Sequence, residues 1–344
     1  MTATVWFNHG FSSLHNICGL LRQGAAEHGR RPRIVLSHSN PDFVARPQAD
    51  LFFTEPDLPD DSAYVDWCLE TVRRRQIDVL WPSRRAAALA ARRDELEALG
   101  ARLLCPASPE VHELLEDKAA CYRAAASLDP ELIPLHRVAR TFGEFERAVE
   151  ELSALTPRLC LKPAKSLFGL GFKILTGPGG ELAAFLGGDP VRASLAEARA
   201  KLDVPDEAFR KLLVMEYLEG PEFSLDCLAL DGRLLRASVR EKPLAAGRPE
   251  RLIRDEELVG WAERLTRLFK LSWIVNIQFR RGRGRPRLLE INPRMAGGLY
   301  FSCLAGINYP YWALRLALEP CEDQLPDQLY DLQVAEVHVP FIYR

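Results

Sequence analysis

Short β-rich runs and helical patterns alternate through roughly the first hundred residues, and this alternation constrains the fold more than any single motif. The runs TVWFNHG (4–10), RIVLSHS (33–39), LFFTEP (51–56), IDVLWPS (77–83) and ARLLCPAS (101–108) each end in turn residues. Between them lie SLHNICGLLRQGAAEHG, SAYVDWCLETVRRRQ and RRAAALAARRDELEALG, which read as helices. Repeated βα units of this size predict a parallel sheet covered by helices. Ligands of such sheets sit at the carboxyl ends of the strands, near His9–Ser13, Ser37–Asn40 and Ser83–Arg85. The seven histidines do not cluster and read as structural or surface residues, although His9 and His15, near the end of the first strand, could touch a substrate. No G-x-G-x-x-G follows the first strand, so a structural or substrate-facing α/β domain is expected there, without a dinucleotide site.

The rhythm changes at residues 108–134, a long helical segment broken by Pro130 and Pro134. Beyond Arg158 come strands separated by tight turn signals, Gly177-Pro178-Gly179-Gly180 and Asp231-Gly232, which predict antiparallel pairing. A domain boundary is therefore placed near residue 110, with an α/β domain over 1–110 and an α+β domain over 111–344. The closing run VAEVHVPFIYR predicts a strand, within 332–344.

Charge and cysteine usage narrow the function classes. A formal net charge of -2 provides no field for nucleic acid or an anionic membrane. No run approaches the ~20 apolar residues that cross a bilayer, and the N-terminus has no basic n-region of a signal peptide. Eight scattered cysteines, with no C-x-x-C pair and no Cys/His cluster, argue for reduced thiols in a cytoplasm and against a disulfide framework or zinc site. RGRP at 283–286 has the core of an AT-hook, yet its place in a hairpin connection favours a solvated turn.

Three constellations carry chemistry. In RLLEINPRMAGG (287–298), Glu290 and Asn292 share one face of a strand while Leu289 and Ile291 share the other. The run IVNIQF alternates likewise, with Asn276 and Gln278 on one face, and RRGRGRPR (280–287) connects the two runs as a hairpin. If they pair, Gln278, Glu290 and Asn292 offer three oxygen donors with one formal charge, a set suited to Mg²⁺, or equally a polar exposed face. In LCLKPAKSLFGLGFKIL (159–175), Lys162 ends a strand and a loop with Ser166, Gly169 and Gly171 follows, able to cradle phosphates. It is not a Walker A, because the lysine precedes the loop. In LLVMEYLEGPEFSLD (212–226), a strand exits through Glu216, Tyr217 and Leu218 and re-enters at Glu222; its backbone could read an adenine edge, or it is a surface turn.

The order Asp117-Lys118, Lys162-Pro163 with its glycine loop, Met215-Glu216-Tyr217 with Gly220-x-Glu222, Gln278, and Glu290-x-Asn292-x-Arg294 resembles the ATP-grasp superfamily. The flavour is that of carbamoyl-phosphate synthetase large subunits, biotin carboxylases and related amino-acid ligases, over roughly residues 110–320. The resemblance implies a pre-ATP-grasp domain over 1–110, a glycine-loop subdomain over about 135–215 and a metal-binding subdomain over about 216–320. It implies that Lys118 and Lys162 bind phosphates, that 166–171 closes over them, that Glu216 to Leu218 hold adenine and that Glu222 holds the ribose. It further implies that Glu290 bridges two Mg²⁺ ions (Mn²⁺ as a substitute) with Gln278 and Asn292, that Arg294 stabilises the transferred phosphate, and that Arg240 contacts the acceptor. The bulky Leu167 and Phe168 depart from the family's richer glycine loop. The implied function is an ATP-dependent ligase that activates a carboxylate as an acyl phosphate and joins it to an amine. Carboxyphosphate chemistry on bicarbonate and a nucleotide-binding pseudoenzyme are the alternatives, and a homodimer is the analogy's expectation for assembly.

Overall fold

The computed structural model describes residues 3–166, 170–176, 191–244 and 248–337. The chain forms two compact units. Unit 1 is Met1–Glu113, Pro221–Gln278 and Ile291–Arg344; unit 2 is Leu114–Gly220 and Phe279–Glu290.

Unit 1 contains the expected parallel sheet, in the order β3-β2-β1-β4-β5. Its strands are β1 (Thr4–Asn8), β2 (Arg33–His38), β3 (Leu51–Thr54), β4 (Val79–Pro82) and β5 (Arg102–Leu103). Alternation along β1 divides the core: Val5 and Phe7 pack with the helices Leu14–His28 and Tyr309–Leu318, whereas Trp6 packs with Tyr64, Val65 and Cys68 on the opposite face. Covering both faces is what a parallel sheet requires, and each fully buried aliphatic or aromatic side chain stabilises it by about 1.5–3 kcal/mol. The first face is closed by residues from far along the chain, among them Leu228, Ile274, Leu299 and Trp312. That shared core groups the first 113 residues with later segments in unit 1. Gly24 permits the closest approach, since a Cβ there would lie 2.4 Å from Cγ of Tyr311.

The strands that follow 158 form two further sheets. In unit 2 the order is β6-β10-β7-β8-β9, from β6 (His136–Ala139), β7 (Leu159–Pro163), β8 (Lys173–Thr176), β9 (Arg192–Ser194) and β10 (Leu212–Glu216). Pairing is antiparallel except between β8 and β9. Leu159, Leu161, Leu212 and Val214 face the helices Phe142–Ser153 and Leu195–Leu202, and alternation turns Cys160, Lys162, Leu213 and Met215 to the other face. The third sheet runs β15-β14-β11-β12-β13-β16, from β11 (Glu222–Leu230), β12 (Arg233–Lys242), β13 (Glu250–Ile253), β14 (Trp273–Gly282), β15 (Arg285–Asn292) and β16 (Leu332–Val334).

Several expectations change in detail. The helical segment 108–134 is two helices, Pro109–Glu116 and Lys118–Ala125, broken at Asp117 because its carboxylate caps the second helix. The connection 280–287 is mostly strand: only Arg283 and Gly284 turn, with φ of 53° and 78°, the left-handed pair of a type I′ hairpin. The closing strand is Leu332–Val334, with 338–344 outside the described residues, as is the Gly177–Gly180 turn. All eight cysteines are buried and unpaired. Among the described residues no helix is long and apolar enough to cross a membrane.

Replacing Gly24 with alanine should force the two helices apart and destabilise the protein by about 1–3 kcal/mol, read from the urea midpoint. An unchanged midpoint would mean that the helix contact is looser than described.

Candidate functional site

In unit 2 a capped helix start positions the first lysine. Asp117 accepts from the backbone N–H of Ala119 at 3.0 Å and Ala120 at 3.2 Å, and receives Lys211 Nζ at 2.5 Å. Burial raises the Asp117 carboxyl, but the Lys211 contact and the two amide bonds outweigh it and hold the group below its ordinary value. Lys118 N–H donates to Ala164 O at 2.9 Å, and Ala164 N–H to Lys211 O at 3.0 Å, which ties the helix start to the end of β7. The Lys118 side chain, only 6% exposed, donates from Nζ to Ser166 O at 3.1 Å and Ser166 Oγ at 3.3 Å, and lies 3.7 Å from Glu290 Oε2. Burial lowers its pKa, Glu290 opposes that shift, and the Lys162 charge adds to it. Tyr122, one turn along the same helix, donates to Leu289 O at 2.8 Å and so fixes the strand segment that carries Glu290.

The glycine loop is only partly described. Lys162 Nζ lies 5.9 Å from the Phe172 ring centroid. Gly171, at φ 80°, sits where a Cβ would meet Pro163 Cγ at 2.6 Å, so no other residue fits. Gly169 lies outside the described residues. At the exit of β10 the Glu216 carboxylate is buried, accepts Leu135 N–H at 2.8 Å and lies 3.6 Å from Arg283. Tyr217 has the Arg280 guanidinium over its ring at 5.2 Å, and Leu218 is buried. With the Glu216 side chain so committed, any reading of an adenine edge here falls to the backbone.

Unit 1 holds the other candidates. Glu222 and Lys242 face each other across β11 and β12 at 2.5 Å. Asn276 is buried, and its amide nitrogen donates to Ser224 Oγ at 2.9 Å, Leu225 O at 3.2 Å and Asp226 Oδ1 at 3.0 Å. A carboxylate and a backbone carbonyl only accept, so Asn276 Oδ1 must point away from them. There it accepts from Gln278 Nε2 at 3.1 Å and Asn292 Nδ2 at 3.5 Å. Each of these amides therefore spends its nitrogen on Asn276 and turns its oxygen elsewhere. Arg294 donates to Asn292 Oδ1 at 3.2 Å and to Met295 O at 3.0 Å, and its guanidinium lies 5.9 Å from the Phe11 ring centroid.

Arg240 occupies a different position from the one its motif implied. Its side chain is 3% exposed; it contacts Asp226 at 3.1 Å and donates to Glu250 at 2.7 Å, Ser302 at 3.0 Å and Ser224 at 3.1 Å. It thus braces the buried Asp226 within the sheet. Asn276, Asp226, Lys211 and Tyr122 are site-building residues that the motifs passed over. Alternation had already put Asn276 on the face of Gln278, but Lys211 and Tyr122 act through contacts with no local signal. Among the described residues no three His, Cys, Asp or Glu side chains form a metal cluster.

Residues 208–340 match the family described as ATP-grasp in the biosynthetic pathway with Ter operon. Most of the chain is similar in fold to solved structures. One is the ADP complex of purK, an N5-carboxyaminoimidazole ribonucleotide synthetase, with a TM-score of 0.67 at 14% identity, covering 96% of this chain and 80% of that one. The family match is confined to residues 208–340, and the fold of the chain is that of these solved structures. An L-amino acid ligase from Bacillus licheniformis gives a TM-score of 0.63 at 17% identity, covering 94% of this chain and 76% of that one. Carnosine synthase 1 of Gallus gallus is 38% identical over 101 residues, which span 26% of this chain and 11% of that protein.

The contrast between braced and open cations in this chain gives a stability test. Arg240→Met leaves Asp226 buried without its cation and should cost about 3–5 kcal/mol of unfolding free energy. Lys162→Met, on the half-exposed end of β7, should change it by about 0.5 kcal/mol or less. Equal melting curves for the two variants would remove the distinction. Asp117→Asn should also destabilise at neutral pH. Because the Asp117 carboxyl is held below its unfolded value, the difference from wild type should be full above pH ~4 and shrink as the pH falls through the folded value.

Proposed function

We propose that this chain is an ATP- and Mg²⁺-dependent ligase that activates a carboxylate as an acyl phosphate and couples it to an amine. The observation that carries the reading is Lys118, fixed by its capped helix start between Ser166 and Glu290. A lysine ammonium held against the glycine loop is placed for a phosphate chain, and the neighbouring carboxylate is the natural metal ligand. Lys118 and Lys162, with Ser166 beside them, bind the triphosphate, Glu216 to Leu218 take the adenine and Glu222 the ribose. Glu290 with Gln278 and Asn292 would hold Mg²⁺, which supplies charge neutralisation during phosphoryl transfer.

The chemistry follows from charge. A carboxylate is a poor electrophile, and transfer of the γ-phosphoryl group converts its oxygen into a leaving group. Arg294 is assigned to the developing negative charge of the transferred phosphate, and Arg240 acts as a positioning residue, through Asp226 and Asn276, on the amides of Gln278 and Asn292. Likeness to an L-amino acid ligase, and local identity to a carnosine synthase, support an amino acid or peptide-like substrate pair. Likeness to N5-carboxyaminoimidazole ribonucleotide synthetase and to a biotin carboxylase from Campylobacter jejuni supports the second reading, carboxyphosphate chemistry on bicarbonate.

The test is phosphate release from ATP and Mg²⁺ against amino acids, small carboxylates and bicarbonate. Stimulation by an acid together with an amine supports the ligase, and stimulation by bicarbonate alone supports the second reading. No stimulation, with ATP still raising the melting temperature, would leave a nucleotide-binding regulator. Glu290→Gln should abolish metal-dependent phosphate release while the circular dichroism spectrum stays that of the wild type. Full retained activity would sink the metal assignment.

A further inference from the structure

The carboxyl edge of the parallel sheet in unit 1 carries a cluster that the nucleotide and metal roles leave unused. At its centre is Glu55, whose side chain has no exposed surface. Its Oε1 accepts from Ser37 Oγ at 2.8 Å, and Ser37 in turn accepts from the Trp6 indole N–H at 2.9 Å. Its Oε2 accepts from Tyr64 OH at 3.1 Å and from Arg84 Nη1 at 3.3 Å, and lies 3.6 Å from His9 Nδ1. Burial raises the Glu55 carboxyl, but the contacts from His9, Ser37 and Tyr64 outweigh it, so the group is held below its ordinary value as a carboxylate.

His9 is unusually constrained for a residue on a loop. It stands immediately after β1 with φ 56°, a backbone region that a non-glycine residue occupies at a cost and that persists only where its surroundings enforce it. Its backbone N–H donates to Ser37 O at 2.8 Å. Its ring stacks on His38 at 4.0 Å and 15°, and His38 stacks on Phe43 at 4.2 Å and 6°. The stack fixes the plane of the His9 ring, and Glu55 fixes which edge points inward. Nδ1 is fully buried with no partner within hydrogen-bonding range, while the side chain as a whole is 28% exposed. Nε2 is the other ring nitrogen, the one that does not face Glu55. An imidazole oriented by a buried carboxylate, with its second nitrogen facing away from it, is the arrangement of a general base.

The loop that carries His9 also reaches Arg294. Phe11, two residues further along the same loop, lies under the Arg294 guanidinium, the group assigned above to the transferred phosphate. His9 and Arg294 both belong to unit 1, so the relation does not depend on how the two units are arranged.

We propose that His9, positioned by Glu55, is the general base that deprotonates the amine substrate. The proposal rests on the ligase reading. At neutral pH an aliphatic amine is an ammonium ion without a lone pair and cannot attack an acyl phosphate. His9 Nε2 takes one ammonium proton. The freed nitrogen pair forms the C–N bond, the bond between the acyl carbon and the phosphate oxygen breaks, and that oxygen leaves with the electron pair. The second nitrogen proton goes to the departing phosphate, so the products are the amide, hydrogen phosphate and a protonated His9. The substrate class is a primary ammonium, as in an amino acid.

Hydroxylamine separates this role from a structural one, because it is uncharged at neutral pH and needs no deprotonation before attack. Wild type and His9→Asn are incubated with ATP, Mg²⁺ and the twenty common amino acids, with and without hydroxylamine, and both amide and hydroxamate are measured. His9→Asn is expected to lose amide formation by about 10²-fold or more while making hydroxamate at close to the wild-type rate. Glu55→Gln should show the same split with a smaller loss. Amide formation by His9→Asn at the wild-type rate, or parallel loss of amide and hydroxamate, would overturn the assignment. If the wild type makes neither product, the ligase reading itself falls, and the base with it.

Discussion

A carboxylate without exposed surface, Asp226, holds unit 1 in the arrangement its chemistry needs. A buried charge of this kind persists only when paired and fully hydrogen-bonded. Arg240 supplies the opposite charge, Ser302 donates at 2.6 Å, and Asn276 donates to the remaining oxygen. Because Asp226 can only accept, it dictates the orientation of Asn276, which dictates that of Gln278 and Asn292. The direction of two amide oxygens, one of them accepting from Arg294, is thus decided by an ion pair buried in the same sheet. Outer contacts of this type are how proteins orient ligands that bear little charge of their own.

The parallel sheet was legible in the sequence because its strands and helices repeat with two different periods, and nothing in the tertiary structure overrides them. The hairpin of β14 and β15 was legible for the same reason: alternation puts Glu290 and Asn292 on one face whichever partner they find. What was not legible depends on residues distant in sequence. The shared core of β1 with Leu299 and Trp312 joins positions nearly three hundred residues apart, so a boundary inferred from a change of rhythm could not anticipate it. Arg240 read as a site residue from its motif; its enclosure by Asp226, Glu250 and Ser302 became evident only once three separate segments were in place. Asp117 is an intermediate case. The pair Asp-Lys was visible, but that aspartate both breaks one helical segment into two and aims the next residue.

Sequence identity and fold similarity cover different parts of this chain. The family match lies in 208–340, whereas the structural similarity spans nearly all of it. The 208–340 stretch includes β14 and β15 and the buried ion pair, where orientation tolerates little change. The first hundred residues satisfy a looser requirement, a parallel sheet with both faces covered, which many sequences meet. Their carboxyl edge is nevertheless densely organised, with Trp6, Ser37, Glu55, Tyr64 and His9 linked in one chain of contacts.

The distribution of the cysteines has a practical side. Six of the eight lie in the segments of unit 1, while Cys121 and Cys160 lie in unit 2, on the helix start and on the strand that present its two lysines. Burial pushes the thiols of Cys121 and Cys160 up to about 12, so neither is a reactive thiolate while its surroundings stay closed. Alkylation of each therefore waits for a local opening, and its rate measures how often that opening occurs. The chain carries its own set of reporters, two for the lysine-bearing unit and six for the other, with which ligand-induced tightening of each unit can be followed separately and without a label.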